Sequence, residues 1–292
     1  MDAQTILKIC AQKPDEFLYL LVNALYPITQ DSALHVENLA QHSPLAVPRA
    51  DFAHNPKICP QLVILAMPDA APNQDLLNVS IETALEEIGC SKQTVCGWIV
   101  SKEGPLAIVN TLTAHCIVRE HADAPRQLLP MFEPHRFALL KLTAPNTWLD
   151  AWLGSITGWV LMDPSGQAQK ITRSQTVAWD ELLPLEAARG QRNAPAIANL
   201  IETWRHSVQG LPADATQRAL QEVLDAESAG LSTLEDKLVF GLSRLTIHPR
   251  FDQHPSVRIA IENAIKTQTP LAQGLEAIPD IAWRQTAKQA AH

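Results

Sequence analysis

The chain has 292 residues, of which 46% are hydrophobic and only 18% charged, and its formal net charge is -8. That length and composition supply core material for one large domain or two ordinary ones. Acidity is spread over both halves, which argues against nucleic acid or an anionic membrane surface as a partner.

The five cysteines, Cys10, Cys59, Cys90, Cys96 and Cys116, are odd in number and contain no C-x-x-C pair. Reduced thiols are expected rather than a disulfide framework. Met1-Asp2-Ala3-Gln4 opens without the basic-then-apolar order of a secretory signal. The longest apolar run, around Phe17 to Ile28, falls short of the roughly 20 residues that cross a bilayer. A cytoplasmic chain without stable membrane insertion is therefore expected.

In chain order, Phe17 to Val22 reads as a buried strand or as the middle of a helix starting at Pro14; periodicity alone leaves both open. Residues 41–60 hold Pro44, Pro48, Pro56 and Pro60 and read as an irregular surface segment. Leu62 to Ala66 is a short buried strand. Leu77, Ile81, Ala84, Leu85 and Ile88 mark one helical face stopped by Gly89. Val95 to Ser101 is another strand, followed by a helix after Gly104-Pro105. Strands alternating with helices predict an α/β layer architecture.

The stretch from Gln127 to Met162 is the most informative. An apolar run, Leu128 to Phe132, ends at Glu133-Pro134, and proline suits the first position of a helix. A helix is predicted over His135 to Leu142, with Glu133 complementing its N-terminus. A second helix carries Trp148 and Trp152, and a strand follows over Ile156 to Met162. Asp163-Pro164-Ser165-Gly166 is a turn signal leading to a partner strand over Ala168 to Thr172.

Beyond Arg173 only helices are predicted. One runs from Ala194 to Gln209, and one opens at Asp214 with Gln217 as a variant capping box. A third opens with the capping box Ser232-Thr233-Leu234-Glu235 and buries Leu234, Leu238, Leu242 and Leu245. A fourth starts at Pro255 with His254 as its cap, a fifth piece surrounds Leu271 to Leu275, and Ile281-Ala282-Trp283 closes the bundle. The expected organisation is an α/β (α+β) lobe with a short-stranded sheet over 1–175 and an all-helical lobe over 176–292.

No phosphate loop, dinucleotide fingerprint or H-E-x-x-H pair is present. Ser155 between Gly154 and Gly158 lacks the spacing of a nucleophile elbow. His248, Asp252 and His254 are residue types that can ligate a metal; the preferred reading is a rigid interhelix connector with Phe251 plugging the bundle. Glu133, His135 and Arg136 form the one charged cluster at a strand-to-helix turn, where a hydrolase site is the alternative to a structural or partner-contact role. Trp148 and Trp152 read first as core and second as interface anchors. No catalytic residue, cofactor or metal ligand is assigned. The candidate partner-binding set is Glu133, Pro134, His135, Arg136, Trp148, Trp152, Arg250 and Phe251.

The order of these pieces resembles the cytoplasmic adaptor chaperones of bacterial type VI secretion. The resemblance is carried by Tyr19-Leu20-Leu21-Val22-Asn23-Ala24, then Pro60-Gln61-Leu62-Val63-Ile64-Leu65, then Trp98-Ile99-Val100-Ser101. Phe132-Glu133-Pro134-His135-Arg136 comes next, followed by Gly158-Trp159 and the Asp163 to Gly166 turn. His248 to Val257, with Trp283 downstream, resembles the family's ending. Asn23 and Glu133 both stand where that family usually has aspartate. The resemblance implies a non-enzymatic adaptor that binds a secreted effector and helps load it onto the spike protein of the secretion system.

Overall fold

The computed structural model describes residues 3–10, 12–26 and 28–278. It divides into two compact units between Arg192 and Asn193, a point inside a helix rather than in the loop near residue 175. The first unit is an antiparallel sheet with helices and the second is mostly helical, with 49% helix and 14% strand in all.

The first unit opens with α1 (Ala3–Cys10), β1 (Phe17–Val22), the single turn α2 (Val36–Leu39), β2 (Leu45–Ala46), β3 (Gln61–Ala66) and α3 (Gln74–Glu86). It continues with β4 (Val95–Ser101), α4 (Pro105–His115), β5 (Ile117–Val118), β6 (Gln127–Leu128), α5 (Pro134–Thr143), α6 (Asn146–Leu153), β7 (Gly158–Met162) and β8 (Ala168–Thr172). Six strands form one sheet in the order β2-β3-β1-β4-β7-β8, and β5 pairs with β6 apart from it. Every pairing between these strands is antiparallel.

The sheet is buried on both faces, which explains why β1 is apolar at every position. Leu18, Leu20 and Val22 join α1 and α3 in one core, while Tyr19 and Leu21 join α4, α5 and α6 in the other. Tryptophans pin both layers, each with its N–H spent inside: Trp98 donates to Ser80 Oγ at 3.0 Å and Trp159 to the Cys96 carbonyl at 3.1 Å. Phe137 sits between Trp152 and Trp159 at 4.8 and 4.9 Å. The turn after β7 forms as its residues demand, with Asp163 Oδ1 accepting from the backbone N–H of Ser165 and Gln167. The apolar run 128–132 is a strand only at its first residue, because Pro130 ends the ladder.

The second unit takes the rest of α7 (Leu185–Ser207), with α8 (Ala215–Ser228), α9 (Leu234–Thr246), α10 (Pro255–Thr267) and α11 (Leu271–Glu276). Four expectations change here, the last of them at His254. Helix α7 starts nine residues before Ala194 and carries Pro195 in its interior. Asp214 makes no capping hydrogen bond and is instead held by Arg218 at 2.9 Å. Helix α9 is rotated: Leu234 is 46% exposed, and the buried positions are Asp236, Lys237, Phe240, Gly241 and Ser243.

Close approach is the reason for that rotation. A Cβ at Gly241 would lie 2.7 Å from Leu200 and 3.3 Å from Glu222, so α9 presents its glycine edge inward. The capping box exists one residue late, with Thr233 Oγ1 accepting from the Asp236 N–H at 3.1 Å. Asp236 also accepts from the Leu271 N–H at 2.7 Å, tying α9 to α11. Phe251 fills the core of this unit as expected. His254 precedes α10 but makes no capping hydrogen bond. Residues 281–283 lie outside the described residues.

On the inward edge of α9, Arg244 meets three carboxylates: Glu222 at 2.7 Å, Asp225 at 3.1 Å and Asp252 at 3.3 Å. One cation cannot balance three anions. Burial, then Asp225 and Asp252, push the Glu222 carboxyl up to about 7 against the pull of Arg244. A raised folded pKa means that the native state holds a proton the unfolded chain has released. Stability of this unit should therefore fall as pH rises from about 4.5 to 7, by about 2–3 kcal/mol. Urea midpoints across that range test this, and Glu222→Gln should flatten the slope.

Candidate functional site

The charged turn singled out in the sequence is a buried cluster. Glu133 is the N-cap residue of α5, yet its carboxylate makes no capping hydrogen bond. It turns inward, where Asn23 Nδ2 lies 3.5 Å from Oε1, Arg49 Nη1 is 3.9 Å from Oε1 and Arg136 Nε is 3.4 Å from Oε2. Asn23 comes from the end of β1, Arg49 from the loop after β2, and Glu133 and Arg136 from the start of α5. Three separate stretches of chain thus converge on one carboxylate.

Each guanidinium is anchored elsewhere. Arg49 holds Asp51 through two hydrogen bonds of 2.7 and 3.1 Å and lies 4.6 Å over the Phe52 ring. Arg136 Nη1 reaches Oε1 of Gln191 at 3.2 Å, and Gln191 Nε2 returns a bond to the Arg136 carbonyl at 2.9 Å. The contacts to Glu133 are long, and neither Arg49 Nη1 nor Arg136 Nε has a hydrogen bond of good geometry.

Burial dominates the electrostatics. It raises the Glu133 carboxyl above its ordinary range even though Arg136 and Arg49 oppose the rise. It likewise lowers Arg136, against the pull of Glu133. His135 is pushed down to about 3 by burial and then by Arg136, so its ring is neutral and its 3.7 Å contact with Glu133 is no ion pair. Tyr26 is driven up to about 12 by burial and then by Glu133. The nearby thiols follow: Cys116 rises to about 12 and Cys96 well above its ordinary value, burial leading in both.

These shifts define what the cluster can do. A histidine at about 3 carries no proton to give at neutral pH and is a weak base. Thiols held protonated are not nucleophiles. What the geometry does supply is a rigid tie joining β1, the 47–60 loop and α5.

The remaining candidates are placed as follows. Pro134 is buried, while His135 and Arg136 are half-buried. Trp148 and Trp152 are core side chains, donating to the carbonyls of Leu182 at 2.9 Å and His115 at 3.1 Å. His115 stacks on Trp179 at 4.4 Å. In the second unit Phe251 is 1% exposed while Arg250 is open to solvent. His248 Nδ1 accepts from the Arg250 N–H and Asp252 is engaged by Arg244. Among the described residues no group of three or more His, Cys, Asp or Glu side chains is arranged to hold a metal ion, and none of the helices is long and apolar enough to cross a membrane.

Arg49 was not foreseen. It lies in the proline-rich segment read as surface, yet it is 8% exposed; a lone arginine between Pro48 and Ala50 gives no local sign of its distant partner. Comparison with known proteins finds no matching family model, no similar curated protein and no similar solved structure.

Proposed function

We propose that the chain is a cytoplasmic, non-enzymatic adaptor that binds a secreted effector and helps load it onto a type VI secretion spike. The observation that carries this reading is the meeting of Asn23 with Glu133. They come from two different motifs of the resemblance, stand 110 positions apart, and lie 3.5 Å from each other. Their contact brings two of those scattered motifs together in this chain, joining the end of β1 to the start of α5. The other motifs form β3, the end of β4, the β7 to β8 hairpin and, in the second unit, the approach to α10 and its first turn.

An adaptor works through surfaces, and the exposed members of the candidate set are the edges of His135 and Arg136 in the first unit and Arg250 in the second. Co-expression with a candidate effector and a candidate spike subunit, followed by affinity capture, should yield a stable complex with at least one of them. Arg250→Glu should slow association, more so at low salt, as a rim charge does. Failure to capture either protein, with the chain folded, sinks the reading.

A further inference from the structure

The first unit contains a cleft of about 470 Å³, half open to solvent, between the loop that follows β2 and the wall formed by α4, β5 and β6. From this cleft we infer that the chain has a binding site for one neutral, largely hydrocarbon small molecule. The volume lies in the range of small-ligand sites, which are concave and mostly apolar.

The walls define the chemistry. On the loop side they are alanines and prolines with one aromatic ring: Ala46, Pro48, Ala50, Ala53, Pro56 and Phe52. Opposite stand Ile117 and Leu128. Small side chains leave the space open, and a leucine at one of the alanines would narrow it.

The one charged lining residue is Arg49, and its charge is already matched by Asp51 and faced by Glu133. An anionic ligand would meet two carboxylates beyond a guanidinium that is engaged through Nε and Nη2, with Nη1 alone unbonded. A cation would find no carboxylate in the wall itself. Water over such apolar walls finds few polar partners and is displaced at little cost by an apolar guest. A neutral apolar guest suffers none of these penalties. Thr113 and Cys59 supply the remaining side-chain polarity, and the Thr113 hydroxyl is buried in the wall without a hydrogen-bond partner.

The probes are acetophenone and benzoate, which share a shape and differ in charge, titrated into the full chain and followed by NMR chemical shifts. Acetophenone should bind saturably and at least tenfold more tightly than benzoate. Ala46→Leu, which narrows the cleft, should weaken acetophenone binding severalfold; Ala53→Leu, at an exposed position, is the second variant if the first does not fold. The absence of saturable binding, equal affinity for benzoate, or affinity unchanged by the narrowed variants would each overturn the inference.

Discussion

Replacing Glu133 with alanine should destabilise the first unit by about 3–5 kcal/mol, the cost of removing one partner from a buried ionic cluster. The carboxylate is 7% exposed and faces two guanidinium groups. Without it Arg136 keeps only Gln191, while Arg49 keeps Asp51. The two arginines are thus unequal, and Arg136 becomes the uncompensated buried charge. The double variant Glu133→Leu with Arg136→Met should recover most of the loss, since apolar groups of similar volume replace such pairs at little cost. Equilibrium unfolding in urea of the wild type, the single variant and the double variant decides it. Equal losses in the single and double variants would show that Glu133 stabilises through packing alone.

That test also bears on how much the sequence could say. The α5 turn was legible because its signals are local: Pro134 at the first helical position and an apolar run ending before it. The β7 to β8 hairpin was legible for the same reason, since Asp163 satisfies its own turn. What Glu133 would touch was not legible, because Asn23 and Arg49 reach it through tertiary folding, and no spacing rule links a loop arginine to a distant helix start. The ambiguity at β1 has a different origin. A strand buried on both faces loses the alternation that marks a strand, and Phe17 to Val22 carries none. Strand–helix alternation likewise leaves strand direction open, and here all the pairings are antiparallel.

The rotation of α9 shows a third kind of limit. Leucines at 234, 238, 242 and 245 make an apolar stripe, and a single helix gives no reason to doubt that it faces inward. Two features outweigh it. Gly241 permits a close approach that leucine would block, and Lys237 and Arg244 find carboxylates there. Leu234 is left in solvent as a consequence. Periodicity counts apolar area; it does not count what the neighbouring helix offers.

Gly97→Ala should be the most damaging single-methyl addition in the first unit, costing about 2–6 kcal/mol when backbone strain and overpacking are taken together. Gly97 lies in the middle of β4 with φ of +131°, a conformation L side chains rarely adopt. An added Cβ would stand 2.5 Å from both the Trp159 indole nitrogen and the Val160 carbonyl oxygen. Neither can retreat cheaply. That indole nitrogen donates to the Cys96 carbonyl at 3.1 Å, and Trp159 packs against Phe137 and Trp152. The glycine also sits at a bulge: Leu21 pairs with Gly97 and Val22 with Val95, so Cys96 is left over in the ladder between β1 and β4. Moving the backbone to accept a methyl would disturb the strand that ends at Asn23, and with it the contact to Glu133. Gly104→Ala is the matched control, because nothing lies within 4 Å of its Cβ position; as a cap change it should cost about 1 kcal/mol or less. Chemical denaturation followed by tryptophan fluorescence distinguishes the two. A Gly97→Ala protein no less stable than Gly104→Ala would mean that the bulge and the indole beside it are not the rigid join between the two faces of the sheet that their geometry implies.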